Sequence, residues 1–574
     1  MKKILFITCF FISSKVFCQT ALDYFNRAVT KTKLEDHRGA IADYNISIEL
    51  NPKDGDAYNN RGTAKAKLED DRGAMVDYNK AIEINPKLAV AYFNRGISKA
   101  RLEDYRGAIA DYNISIELNP KDGDAYCSRG LAKARLEDYR GAIADYNISI
   151  ELNPKDGDAY NNRGNAKAKS EDDRGAMDDY NKAIEINPKD ASAYYNRGIA
   201  KDKLEDYRGA IADYNISIEL NPKLASAYYN RGKAKANLKD NIGAIADYNK
   251  SIELDSQDYY AYYSRGIAKA RLEDYKGAFA DFNKSIELDP QYDFVYYSRG
   301  RAKYELEDNI GAIADYNISI GLNPKDGDAY CSRALAKARL EDYRGAITDY
   351  NKAIELDPNS VIFYYNRGNV KSKLEDYRGA ITDYNKAIEL DPNSVIFYYN
   401  RGNVKSKLED YRGAIVDFSK AIEINPKYAD GYINRGRAKE ELEDYRGAIV
   451  DYSKAIEINP KYAIAYINKG IAKYKLEDFR GAIVDFSKAI EINQKYADAY
   501  FNRGRAKHEL EDYRGAIVDY SKAIEIDPKY ADAYINRGLC KIKLGDKDGG
   551  CLDLSKAGEL GDSTAYDAIK AFCN

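Results

Sequence analysis

Gly55 to Leu88, GDAYNNRGTAKAKLEDDRGAMVDYNKAIEINPKL, is the stretch that decides the fold, because the chain repeats it every 34 residues. Stepping by that period meets all thirteen prolines, at 52, 86, 120, 154, 188, 222, 290, 324, 358, 392, 426, 460 and 528. Ser256 and Gln494 fill the two slots where the step lands without proline. Counted from Ala21, sixteen units fit, the last ending at Thr564, and residues 349 to 381 recur unchanged at 383 to 415. Positions 1 to 34 below refer to places within a unit.

Each unit reads as two helices, over about positions 3 to 14 and 18 to 30, with an Glu-Asp-Tyr/Asp turn between them. Asp at position 16, as in Asp70 and Asp104, is placed to accept the orphan N–H groups of the second helix and to favour its positive dipole end. Proline at position 32 closes the unit, since it cannot continue a helix and restricts the residue before it. In the second helix Ala74, Met75, Tyr78, Ala81 and Ile82 form an apolar stripe at helical period. One hairpin cannot bury that stripe alone, so neighbours must stack on it, giving an all-α solenoid rather than a globule.

At 574 residues an ordinary chain would divide into several domains, but no linker of Ser/Gly or like charge interrupts the repeat. The 89 Lys+Arg and 92 Asp+Glu are interspersed, which offers no basic face for nucleic acid. Residues 1–18 read differently. Lys2 and Lys3 precede the apolar run Ile4 to Ile12, which has signal-peptide length and is too short to span a bilayer. Val16 and Cys18 occupy the small-residue positions of a cleavage site before Gln19. The expected location is therefore periplasmic, extracellular or at the cell surface. A lipoprotein anchored through Cys18 is disfavoured by the bulky Phe17. The remaining organisation is a solenoid over 19–564 and a capping helix over 565–574, with no transmembrane segment.

The unit resembles the tetratricopeptide repeat: an aromatic at position 4 (Tyr58), Gly at 8 (Gly62), Ala at 20 (Ala74), an aromatic at 24 (Tyr78), Ala at 27 (Ala81) and Pro at 32 (Pro86). The resemblance implies a right-handed superhelical solenoid of helix-turn-helix repeats, with first helices on the concave wall and second helices outside. Two departures are systematic. Position 7, usually Leu in that family, is Arg in fifteen units and Lys469 in the other, and position 11, usually aromatic, is Lys. In an antiparallel hairpin turning near position 16, position 7 comes level with position 23, which is Asp throughout, so a ladder of Arg–Asp pairs is expected.

Near-identical units make the differing positions informative. These are mainly 2, 5, 9 and 12, one face of the first helix. Position 5 is often aromatic, as in Tyr195, Tyr229, Tyr263, Tyr297, Tyr365 and Tyr399. Position 6 hardly changes and is Asn in twelve units, among them Asn60, Asn94, Asn162, Asn196, Asn230, Asn366, Asn400 and Asn434. A row of amides offers a donor and an acceptor to the backbone of an extended peptide, and it also fits bracing of the hairpin itself. These fourteen residues are the candidate peptide-binding set.

Other chemistry finds little support. His37 and His508 sit at different positions of distant units without a partner in the sequence, so no metal site and no nucleophilic relay is expected. No cofactor loop precedes a helix, and no catalytic residue is assigned. The Asn-Pro-Lys-Asp-Gly-Asp segments at 51, 119, 153 and 323 read as turns in which Gly takes a special backbone angle. Asn-Ile-Ser sequons at Asn45, Asn113, Asn147, Asn215 and Asn317 fall inside expected helices and read as unmodified. Through the resemblance, Ala565 and Tyr566 match positions 3 and 4 of a further unit, which sets Cys573 against Cys551 and implies a Cys551–Cys573 disulfide. Pairing of Cys540 with Cys551, or three reduced thiols, remains open. The expected function is a non-enzymatic scaffold binding other proteins or peptides in the concave groove. The alternative is a module for polysaccharide or another extended polymer, on which tyrosines could stack. Neither partner identity nor oligomeric state is legible.

Overall fold

A computed structural model describes residues 20–573. The segment read as an export signal lies outside the described residues. The chain divides into two compact parts, residues up to Pro290 and from Gln291 onward, each an array of helical hairpins. Among the described residues there are 33 helices and no strand. In both parts the second helix of a unit packs between its own first helix and the first helix of the next unit, as Asp71–Ile84 does between Gly55–Lys67 and Ala89–Arg101.

The helices occupy positions 1–13 and 17–30, so each begins earlier than the sequence reading placed it. The first starts at position 1 because position 34 serves as its N-cap, and Asp54 accepts from the Ala57 N–H at 3.0 Å. Consequently Gly55, Gly123, Gly157 and Gly327 are the first residues of helices and not positive-φ turn residues, a correction to the sequence reading. The helix stops in a Schellman arrangement. Within the first unit Asp36 N–H reaches Lys31 O at 2.9 Å and Glu35 N–H reaches Thr32 O at 3.1 Å. Position 15 is then left-handed in every unit, with φ between 58° and 65° at fourteen glutamates and Lys239, and 90° at Gly545.

Position 16 ends one helix and caps the next. Its carboxylate accepts the N–H of the glycine at position 19 in all sixteen units, at 2.8–3.0 Å. A Cβ at that glycine would lie 2.0–2.3 Å from the other oxygen of the capping carboxylate, Oδ2, so the approach requires Gly. A second close approach joins the two helices of a hairpin. Tyr78 at position 24 is 2% exposed, and a Cβ on Gly62 would meet its ring at 2.8 Å.

The charge ladder is present. Arg61 donates from Nε and Nη2 to the two oxygens of Asp77 at 2.9 and 2.6 Å, and Lys65 approaches the same carboxylate at 2.8 Å. Asp77 is 1% exposed, so two cations compensate its burial. The third guanidinium nitrogen, Nη1, donates to Asn45 of the preceding unit at 2.8 Å, and the plane stands 5.3 Å from the Tyr58 ring centre. Thus the departures at positions 7 and 11 answer one buried aspartate, and the arginine's third nitrogen ties Arg61 and its counterparts to the unit before. The same link engages the sequon residues Asn113, Asn147, Asn215 and Asn317 through Arg129, Arg163, Arg231 and Arg333. Lys469, lacking the fork, reaches Asp485 only at 3.5 Å.

At the C-terminal end the short helix Thr564–Phe572 packs on Lys547–Glu559, and Cys551 and Cys573 are joined by a disulfide. No described helix is long and apolar enough to cross a membrane.

Candidate functional site

The face made by first helices carries the varied positions 2, 5, 9 and 12. All fourteen candidate residues on it, Asn60 to Asn434 and Tyr195 to Tyr399, are half-buried. The aromatic at position 5 leans on the buried ring at position 24 of its own unit, with centroids 6.0 Å apart for Tyr195 and Tyr214 and 5.8 Å for Tyr229 and Tyr248. These rings therefore share their surface between the core and the open face.

Position 6 has a role that the sequence did not reveal. Its amide N–H is given across the repeat to position 5 of the preceding unit. Asn94 donates to Asn59 Oδ1 at 3.0 Å, Asn196 to Asn161 Oδ1 at 3.0 Å, and Asn230 to Tyr195 Oη at 3.0 Å. In the second part Asn400 donates to Tyr365 Oη at 3.3 Å and Asn434 to Tyr399 Oη at 2.9 Å. In two units where the preceding position 5 is apolar, the amide turns back on its own helix, Asn502 to Asp498 O and Asn536 to Asp532 O. Asn468, facing Ile433, keeps a buried Nδ2 without a partner. The contact is a separation of 35 residues, a spacing that would have surfaced by asking which positions adjoin across consecutive first helices.

This bond fixes the amide. None of the described hydrogen bonds is accepted by Oδ1 of Asn94, Asn196, Asn230, Asn400 or Asn434, and these oxygens are not among the buried unpaired atoms. Each of these five therefore meets solvent as an acceptor held in place from behind, whereas Asn60 Oδ1 already accepts from Asn59 Nδ2 at 3.2 Å. What the row presents outward is chiefly an acceptor, rather than the donor-and-acceptor pair expected from the amide alone.

Beneath this row the hydroxyl of the buried tyrosine reaches position 9 of its own unit in two units where that residue is Asn, whereas Tyr520, with Arg505 at that position, has none. Tyr180 donates to Asn165 at 2.9 Å and Tyr384 to Asn369 at 2.8 Å. Opposite Ile199 and Leu335 the hydroxyls of Tyr214 and Tyr350 find no partner. Burial pushes the Tyr78 hydroxyl up to about 12, so it stays a proton donor.

One expectation is corrected here. His508 does have a partner, Cys540, with Nδ1 and Sγ 3.6 Å apart across 32 residues. The thiol is fully buried and its burial raises it to about 11, which leaves no thiolate for nucleophilic work.

Helical hairpins of fixed period, stacked through a shared buried tyrosine and an interlocked ladder, define a helical-repeat solenoid. The chain belongs to the tetratricopeptide repeat family. Tetratricopeptide repeat models match residues 55–88, 123–156, 191–224, 225–258, 259–292 and 395–428. A TPR repeat model matches 169–204, 338–375, 372–408, 436–477, 472–510 and 504–545, so the matched residues together exceed half of the chain. No curated protein matches the chain. Among solved structures, YrrB, described as a TPR protein with an unusual peptide-binding site, is 29% identical over 32% of this chain and 95% of its own, with a TM-score of 0.29. A tetratricopeptide repeat protein from Parabacteroides merdae is 19% identical over 43% and 99%, with a TM-score of 0.35. Yeast Tom70 is 18% identical over 80% and 96%, with a TM-score of 0.31. Proteins built from this repeat are generally non-enzymatic scaffolds suited to protein–protein interaction.

Proposed function

We propose that the protein holds partner polypeptides in extended form along the first-helix groove, outside the cytoplasm. The observation that carries this reading is the row of solvent-facing Oδ1 acceptors at position 6, each oriented by a bond to the preceding unit. An extended peptide presents N–H groups along its length, and fixed acceptors would take them whatever the side chains are. Rings at position 5 and the varied residues at position 9 then select among sequences. Export is supported by the apolar run behind Lys2 and Lys3, and the Cys551–Cys573 bond suits an oxidising compartment.

Site-specific photo-cross-linking in the native cells tests the groove. With p-benzoylphenylalanine in place of Tyr229, polypeptides should be captured. The same group in place of Ile242, 74% exposed on a second helix, should capture few. Equal capture from both places would remove the groove from the account. Fractionation of the same cells tests export, and a cytoplasmic full-length chain would refute it.

A further inference from the structure

A slot of about 370 Å3 opens between the first helices Ala89–Arg101 and Gly123–Arg135, within the part that ends at Pro290. Ile97 and Leu131 form its apolar lining, Tyr112 and Ser128 add hydroxyl-bearing side chains, and Arg101 and Arg135 lie at it, Arg101 with Nη1 donating to Ala66 O of the preceding unit at 3.1 Å. It is open because position 12 of its unit is Ala100.

Position 12 is Ala in seven units, and two of the units in which it is larger place an acid there. In the unit starting at Ala429, position 12 is Glu440, whose carboxylate accepts the hydroxyl proton of Tyr452, the counterpart of Tyr112. Lys475 of the following unit, the counterpart of Arg135, acts on the same carboxylate. In the unit starting at Ala191, position 12 is Asp202, which pairs with Lys233 of the following unit at 3.0 Å. In the second of these units the acid at position 12 forms an ion pair with a cation of the next unit. At Ala100 a cation of the following unit, Arg135, lines the slot and position 12 supplies no acid. Among the described residues Arg135 has no ion pair, and Arg101 has only a long one, 3.6 Å to Asp71.

We propose that this slot receives a glutamate side chain of the bound polypeptide, which supplies in trans the carboxylate that Glu440 supplies within its own unit. The inference rests on the groove reading and names the partner's chemistry at one place on it. The methylenes would lie between Ile97 and Leu131, and the carboxylate would accept from Tyr112 and Arg135.

The test uses the full mature chain and fluorescent acetyl-hexaglutamate amide, acetyl-hexaglutamine amide and acetyl-hexaglutamine with a free C-terminal carboxyl, followed by polarisation. The hexaglutamate is expected to bind at least tenfold tighter than either glutamine peptide. Tyr112→Phe, which changes no charge and copies Phe282, Phe418 and Phe486 at the same position, should lower that affinity about fivefold or more. Ala100→Leu, which fills the slot without charge, should lower it at least tenfold, with helical content confirming that both variants fold. Undiminished hexaglutamate binding by the folded Tyr112→Phe or Ala100→Leu chain would overturn the slot, because attraction to surface cations then explains everything. Equal or absent binding of the peptides, or tight binding by the free-acid peptide alone, would overturn it too. None of these results touches the groove reading, which the cross-link at position 229 decides separately.

Discussion

Asp213 is 2% exposed and receives two hydrogen bonds from Arg197, at 2.8 and 2.6 Å, with Lys201 at 2.8 Å. Removing the acid leaves two cations packed against one another, which is the costly way to break a buried pair, about 3–5 kcal/mol. Asp213→Ala should therefore lower hydrogen-exchange protection of Ala191–Lys203 and Tyr207–Leu220 more than that of distant hairpins. The converse exists in the chain: Lys469→Arg would restore the fork on Asp485 and should stabilise its hairpin by about 0.5–1.5 kcal/mol. At Asp43 the Arg27 guanidinium holds the carboxyl below the usual carboxylate range. The unfolded chain then binds that proton more readily than the folded one. The stabilisation is complete above about pH 4 and is lost as pH falls through the lower folded value. Protection of the first hairpin should decline in that acid window, and Asp43→Asn should flatten the dependence. The Arg–Asp pairing was legible because both residues recur in phase at mirrored heights. The fork's third bond to the preceding unit, Arg61 to Asn45, was not, since it joins residues that only stacking brings together.

Position 15 shows an element-scale choice. A helix that closes in a Schellman turn needs a left-handed residue, which costs a side-chain-bearing residue about 1–2 kcal/mol relative to its ordinary conformations. Fourteen units put Glu there, one puts Lys239, and only the last uses Gly545. Glu205→Gly should consequently stabilise the chain by up to about 1 kcal/mol after the glycine's own entropy loss is set against the relief, seen as a rise in the urea midpoint. No change, or a loss, would mean that the glutamate makes compensating contacts. The helices themselves were readable from local chemistry: proline at 32, aspartate at 16 and the apolar stripe each act within a few residues. Their starts were misread by about two residues at position 1 because Asp54, Asp122 and Asp156 cap from the end of the preceding unit. The left-handed glutamate left no sign, as Glu is not a residue that announces such a turn.

For the molecule as a stack, stability is a sum of units and their interfaces. Deleting the whole unit 361–394 should leave helical content per residue unchanged, whereas deleting 17 residues from the same place should expose an apolar face and aggregate; similar behaviour of the two would contradict the stack. The repeat, and hence the fold, was plain in the sequence because every unit restates it. The binding face was legible only as a pattern of variation. Its bonds run between residues 31 to 35 apart, and the slot at Ala100 is defined by what other units place there. Those relations need neighbours in space. The central claim is that position 6 presents fixed acceptors to a partner chain. It is tested most directly by replacing Asn94, Asn162, Asn196 and Asn230 with Ala together and measuring capture of partner polypeptides from the photo-cross-linker at position 229, beside circular dichroism. The inter-unit bonds lost should each cost only about 0.5–1.5 kcal/mol. The account predicts a folded chain whose capture falls by at least tenfold; a folded chain with full capture, or one that unfolds because position 6 is only a brace, would contradict it.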